Sequence, residues 1–166
     1  DVPPGEAWTV EAVRAHQQRI AAAGLTWAVV ESIPVPEVVK LGEAGREAAV
    51  EAWCRSLEAV GAAGIGTVCY NFMPVFDWTR THLAHRLPDG SLTLVYRHAD
   101  LPTIETALAT GGLPGWMTAY TPEALHRLRA SYAVLDPEQV WDHLAYFLEC
   151  VVPVAAAAGV RLAIHP

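Results

Sequence analysis

Residues 62–71 read Ala62-Ala-Gly-Ile-Gly-Thr-Val-Cys-Tyr-Asn71, a helix end followed by a glycine, an apolar strand and a polar residue. The same order recurs at 22–31 and at 157–165, and a proline follows shortly after each copy. Glycine suits the left-handed position just past a helix, and an unbroken apolar run is typical of a strand buried on both faces. The three copies therefore predict α/β units with parallel strands.

The polar residues that end the three copies are Glu31, Asn71 and His165. In parallel α/β architectures, ligands bind at the carboxyl ends of the strands, so we expect these side chains to meet at one face. His165 is a candidate metal ligand, and Glu31 could accept a substrate hydroxyl or a proton. Asn71 could orient a substrate through its donor and its acceptor. A polar strand end without function is the alternative for each of them.

Composition limits the class of protein. The chain has 166 residues, of which 52% are hydrophobic and 17% charged, enough for one domain with a core. Its net charge of −7 and its lack of a Lys/Arg-rich run argue against nucleic acid or an anionic membrane as partner. Its three cysteines follow no metal-binding spacing, which favours reduced thiols. No unbroken apolar run reaches membrane-spanning length. We expect a soluble cytoplasmic protein that binds a small molecule, and a homo-oligomer is left open.

Helices and strands follow from caps and periodicity. Helices are predicted from the Thr9 cap to Gly24, at about 43–62, from Thr121, and from Asp136 to about Ala157. Strands are predicted at about 25–30, at about 65–70 and after Gly159.

An insertion interrupts this α/β order at about 75–135, because the interval from Gly64 to Gly159 is more than twice that from Gly24 to Gly64. Leu87-Pro-Asp-Gly-Ser91 is a turn sequence between strand-like runs and predicts a β-hairpin. We expect the insertion to cap the site.

The loop at 72–80, Phe72-Met-Pro-Val-Phe-Asp-Trp-Thr-Arg80, is too aromatic for an ordinary connection. Asp77 offers an acceptor, and Arg80 offers a fork that can bind a carboxylate through two hydrogen bonds. A surface ion pair is the alternative. His82 and His85 have metal-like spacing, but we expect them to be exposed and without a companion ligand.

Three stretches of the chain, 24–35, 67–81 and 151–166, closely resemble the D-mannonate dehydratases. The string Cys69-Tyr-Asn-Phe-Met-Pro-Val-Phe-Asp-Trp-Thr-Arg80 is long and unusual enough to be specific. The resemblance extends to the Leu-Pro-Asp-Gly hairpin and weakens between about Tyr96 and Tyr120.

This resemblance implies a TIM (β/α)8 barrel that removes water from D-mannonate to give 2-keto-3-deoxy-D-gluconate in hexuronate (glucuronate) catabolism, with Mn2+ or Fe2+ as cofactor. The segment 1–166 would then be an incomplete TIM-barrel domain of about three β/α units, with the insertion as a hairpin-containing cap. The first strand of the barrel and its helix would precede Asp1.

The resemblance also implies roles for individual residues. The strand end Ile164-His165-Pro166 matches the family's motif, in which the histidine is a metal ligand. The other ligands, a Cys, a second His and an Asp, would lie beyond Pro166, and the catalytic acid and base would lie outside this segment. The expected contacts to the sugar acid come from Glu31, Asn71, Asp77 and Arg80.

Two other interpretations remain open. A xylose-isomerase-like metal-dependent sugar isomerase or epimerase would share the histidine at a strand end but not the loops. A non-catalytic truncated barrel fragment would expose apolar strand edges and associate with other chains.

Overall fold

In a computed structural model, the described residues are 5–75, 80–100, 102 and 121–165. The chain divides into two units, one of residues 1–74 and 134–166 and the other of residues 75–133. Both units contain helices and strands, which confirms the predicted α/β class.

The first unit holds four helices and two strands among its described residues. They are α1 (Val10–Ala22), α2 (Glu37–Lys40), α3 (Arg46–Ala62), β1 (Thr67–Tyr70), α5 (Pro137–Ala157) and β4 (Arg161–Ile164). The second unit holds the strands β2 (His82–Arg86) and β3 (Leu92–Val95), a short 3-10 helix (His98–Asp100) and helix α4 (Pro122–Ala133).

Two of the predicted helix starts, at Thr9 and at Asp136, are confirmed by their caps. The Thr9 side chain accepts a hydrogen bond from the backbone N–H of Ala12 at 3.2 Å, which satisfies one free donor at the start of α1. At α5, the Asp136 carboxylate accepts from the N–H of Glu138, and the Gln139 side chain accepts from the N–H of Asp136, both at 2.9 Å. Such reciprocal capping fixes where α5 begins.

The two strands of the first unit pair in parallel, with Val68 opposite Leu162 and Tyr70 opposite Ile164. The prediction of parallel strands is therefore confirmed. The predicted strand at 25–30 is wrong in extent, since only Val30 pairs, through an isolated parallel bridge to Val68. Backbone hydrogen bonds join this segment to β1 at Val30, and a longer one, of 3.4 Å, joins it at Ile33. Leu25 and Val29 remain exposed, so little burial favours a longer strand.

The helix predicted at 43–62 begins later, at Arg46, and the short helix α2 precedes it. Two glycines lie in the break between α2 and α3, where Gly42 has a φ of +67° and Gly45 a φ of +94°. These left-handed conformations end one helix and lead into the next.

The core of the first unit lies between α3, α5 and the strands. The Phe147 ring is fully buried and lies 5.0 Å from the ring of Trp53, 5.7 Å from Tyr70 and 5.9 Å from Phe72, measured between ring centres. Such aromatic contacts add to the hydrophobic stabilisation that burial of these side chains provides. The core therefore fixes the carboxyl end of β1 at Tyr70 and the start of the loop that follows it at Phe72.

The second unit contains the predicted hairpin. Strands β2 and β3 pair antiparallel, with a bulge between His82 and His85, and Gly90 in the turn has a φ of +87°. His82 is exposed, as expected, whereas His85 is half-buried, so the expectation that it is exposed is wrong. The His82 Nε2 atom lies 2.8 Å from a carboxylate oxygen of Asp100, but no third potential metal ligand joins them among the described residues.

Helix α5 is long and apolar enough to cross a membrane by length and composition, which the reasoning from unbroken apolar runs missed. Its Phe147, Val151 and Ala155 are buried in the core of the first unit. A core helix passes the same test of length and composition, so this feature is weak support for a membrane span.

Candidate active site at the strand ends

Glu31 and His165 lie side by side, as the sequence predicts for residues at strand ends. The Glu31 Oε1 atom is 3.1 Å from His165 Nε2. Glu31 follows Val30, which pairs with one side of β1, whereas His165 follows β4, which pairs with the other side. The two side chains therefore meet across the end of β1.

The strand register places both residues on the same face of the sheet. Val30 is paired with Val68, so the next residues, Glu31 and Cys69, are also level with each other. Cys69 is in turn paired with Ala163 in β4. Because side chains alternate along a strand, Glu31, Cys69 and Ala163 share one face, and His165, two residues beyond Ala163, follows on that face. The opposite face carries the buried Val30, Val68 and Tyr70 against the core. The site face is thus the one turned away from the helices.

Asn71 follows β1 directly and is level with His165. The backbone N–H of His165 donates to the carbonyl of Tyr70 at 2.8 Å, which extends the parallel pairing to this point. Asn71 is half-buried, and the adjacent Phe72 is anchored in the core. The structure thus brings three of the predicted site residues, Glu31, Asn71 and His165, to one end of the sheet.

Of the remaining two predicted residues, Arg80 belongs to the second unit. Arg80 is half-buried there, and it has an interaction partner. Asp77 lies outside the described residues. Their predicted contacts with a sugar acid stay predictions.

The site is open to solvent. The Glu31 side chain is 56% exposed and that of His165 is 31% exposed. Water screens such a pair, so it contributes little to the stability of the fold. On the opposite face of the sheet, burial raises the pKa of the Tyr70 phenol above its ordinary value.

The donor chemistry at the strand ends suits a divalent metal. Imidazole nitrogen and carboxylate oxygen are both ligands for first-row divalent ions such as Mn2+ and Fe2+. A carboxylate in contact with an imidazole also resembles the arrangement that orients histidine ligands in metal sites. Within the described ranges, no group of three or more His, Cys, Asp and Glu side chains could hold a metal. The pair alone is therefore not a complete metal site.

Sequence reasoning missed Lys40, which is buried beside the loop that carries Asn71. Its Nζ lies 2.9 Å from Glu37 Oε1 and donates to the Met73 carbonyl at 3.1 Å. A sequence feature could have drawn attention to it, because Lys40 is the single lysine among eleven lysine and arginine residues.

Comparison with known proteins shows the family of the chain. The family model for D-mannonate dehydratase (UxuA) matches residues 1–166. The chain belongs to the D-mannonate dehydratase family. It is 42% identical over 166 residues to the mannonate dehydratase of Streptococcus uberis and 45% identical to that of Oceanobacillus iheyensis. The family resemblance stated from the sequence is thereby confirmed.

A solved structure of a family member is similar as well. The crystal structure of mannonate dehydratase from Streptococcus suis serotype 2 matches all of this chain with a TM-score of 0.85 at 41% identity. The match covers 44% of that protein, and the chain spans 48% of the S. uberis and O. iheyensis enzymes. The chain thus corresponds to about half of a D-mannonate dehydratase.

Proposed function

We propose that the protein carrying this chain dehydrates D-mannonate to 2-keto-3-deoxy-D-gluconate, as a metal-dependent lyase of hexuronate catabolism. The observation that carries the proposal is the Glu31–His165 contact, at the strand ends of a chain that the family model matches throughout. We further propose that residues 1–166 form part of a TIM barrel, because parallel β1 and β4 alternate with helices in the order that fold requires.

The reaction sets the demands on the site. Dehydration removes the proton at C2 and the hydroxyl at C3, and the resulting enol takes up a proton at C3 to become the 2-keto acid. The C2 proton lies next to a carboxylate and is poorly acidic, so the site must stabilise the negative charge that develops there. A bound Mn2+ or Fe2+ would supply positive charge that stabilises it.

The residues of this chain then have distinct roles. His165 would hold the metal, and Glu31, which contacts its imidazole ring, would fix the orientation of that ring. Asn71, level with His165, binds a hydroxyl or carboxylate oxygen of the sugar acid through its amide. Arg80 binds the substrate carboxylate, and Asp77 orients Arg80 or a hydroxyl. The catalytic acid and base come from other parts of the protein.

The described cysteines support a cytoplasmic location for this reaction. Cys54, Cys69 and Cys150 are free thiols rather than disulfide partners. Free thiols persist in a reducing compartment.

The direct test is a substrate panel. The full polypeptide, supplied with Mn2+, is incubated in D2O with D-mannonate, with other sugar acids and with free aldoses, and the products are followed by NMR. We expect D-mannonate to yield the 2-keto-3-deoxy acid with deuterium at C3. Interconversion of aldoses and ketoses without loss of water would instead establish a sugar isomerase.

A further inference from the structure

Lys40 is an unusual residue in this chain. The sequence uses arginine for every other basic side chain apart from histidine, and yet this one lysine is only 5% exposed. Lysine is rarely buried, because removing its ammonium group from water costs several kcal/mol unless partners replace the water. A buried lysine with such partners therefore has a specific structural task.

The contacts of Lys40 join three segments of the first unit. Its ammonium group pairs with Glu37 one turn earlier in α2 and donates to the backbone carbonyl of Met73. Its own carbonyl accepts a hydrogen bond from His143 Nδ1 of α5 at 2.8 Å. Lys40 thus connects α2 and α5 to the loop that follows β1.

The packing around these contacts is tight. A Cβ atom at Gly42 would lie 2.2 Å from His143 Nε2, so only glycine leaves room for the imidazole ring. The His143 ring is thereby held where its Nδ1–H reaches the Lys40 carbonyl. This arrangement leaves the Lys40 backbone little freedom to shift.

The loop after β1 is consequently held at both ends. On one side of Asn71, the Tyr70 carbonyl accepts from the N–H of His165. On the other side, Phe72 packs in the core, and the Met73 carbonyl accepts from Lys40. Asn71 lies between these anchors, so the position of its amide depends on them.

We propose that Lys40 is a positioning residue: its buried ammonium group fixes the Met73 backbone and so sets Asn71 level with His165 for a sugar-acid ligand. This inference rests on the proposed function. Lysine suits the task because its compact ammonium group can point separate N–H donors at a carboxylate and a carbonyl, which the planar guanidinium group of arginine does less well.

A double-mutant cycle in the full polypeptide tests the proposal. If Lys40 acts through Asn71, Lys40→Met lowers kcat/KM for D-mannonate about 10-fold or more, mainly through KM, and has less than about a two-fold effect when Asn71→Ala is already present. Equal effects of Lys40→Met in both backgrounds, or no effect in either, would overturn the proposal. Arg55→Met is the matched control, since it removes an exposed ion pair to Glu51 on α3 and should leave kcat/KM unchanged.

A second measurement separates this inference from the proposed function. Hydrogen exchange of the backbone amides of residues 71–73 and 75 should accelerate in Lys40→Met, whereas exchange in α1 should stay as in the parent protein. Unchanged exchange of these amides overturns the positioning role even if D-mannonate is dehydrated. Accelerated exchange in a protein that does not dehydrate D-mannonate would refute the proposed function alone. Should Lys40→Met fail to fold, Glu37→Gln keeps the lysine and should show the same changes to a smaller extent.

Discussion

The Glu31 carboxylate and the His165 imidazole lie 3.1 Å apart across the end of β1, although they are far apart in the sequence. The contact forms because Val30 and β4 pair with opposite sides of the same strand. It gives the candidate site a carboxylate–histidine pair at the position where parallel α/β folds bind their ligands.

Removing the Glu31 carboxylate should weaken metal binding. If Glu31 orients His165, Glu31→Ala lowers the affinity of the full polypeptide for Mn2+ by about 10- to 100-fold. Glu31→Gln should lower it less, because its amide oxygen still accepts a hydrogen bond. Competition with a metal chelator measures both affinities. Glu51→Ala, on the exposed side of α3, serves as control, and equal affinities in Glu31→Ala and the parent protein would refute the role of Glu31.

Substitutions at Asn71 should lower kcat/KM for an anionic substrate. Loss of a hydrogen bond to a charged group costs about 1.5–3 kcal/mol, so Asn71→Ala should lower kcat/KM roughly 10- to 150-fold. Asn71→Asp should lower it further, because a carboxylate at this position repels the sugar acid. This additional loss should shrink as salt is added, since salt screens exposed charges. If Asn71→Asp binds D-mannonate as well as Asn71→Ala does at low salt, Asn71 does not face the substrate.

Stability at alkaline pH should depend on Tyr70. Burial raises the pKa of its phenol above the ordinary value of 10.0, so the unfolded chain releases this proton at a lower pH than the folded protein. The contribution to stability is fully present below pH 10.0 and is lost as the pH rises through the raised pKa. We therefore expect the melting temperature to fall less for Tyr70→Phe than for the parent protein when the pH is raised from about 8 to about 11. Tyr96→Phe, on the exposed hairpin, is the matched control, and identical losses in Tyr70→Phe and the parent protein would contradict the prediction.

Close packing of α3 against the end of α5 should make Gly61 sensitive to substitution. A Cβ atom there would lie 2.6 Å from the backbone carbonyl oxygen of Ala158, which the chain cannot easily move. Alanine favours a helix by up to about 1 kcal/mol over glycine, yet we expect Gly61→Ala to reduce the free energy of unfolding by about 1–3 kcal/mol. Urea denaturation measures this difference. Gly66→Ala, where a Cβ meets open space, should change stability less, and a stabilised Gly61→Ala variant would show that the two helices are not so closely packed.

The sequence was sufficient for the features that depend on local chemistry. Gly64 and Gly159 have φ values of +82° and +68°, as the helix–glycine–strand pattern requires, and the Asp136 capping box is present. The hairpin followed from its turn residues. The family was also recognisable, because the string at 69–80 is long and specific.

Features that depend on contacts between distant segments were not accessible in the same way. The hydrogen bonds that join Lys40 to Met73 and His143 connect residues far apart along the chain, and no local pattern predicts them. The strand predicted at 25–30 was too long because an apolar run does not reveal how many of its residues find a partner. The contact between Glu31 and His165 followed from the repeated pattern, whereas the roles of Glu31, Asn71, Asp77, Arg80 and His165 in binding stay predictions.

Metal content and turnover of His165→Ala, measured together in the full polypeptide, test the proposed site most directly. We predict that the parent protein retains Mn2+ or Fe2+ after gel filtration and dehydrates D-mannonate, and that His165→Ala loses both properties while keeping its circular dichroism spectrum. His82→Ala, in which the exposed hairpin histidine that contacts Asp100 is removed, should retain both. A His165→Ala variant with full metal content and full turnover would contradict the assignment of the strand-end site.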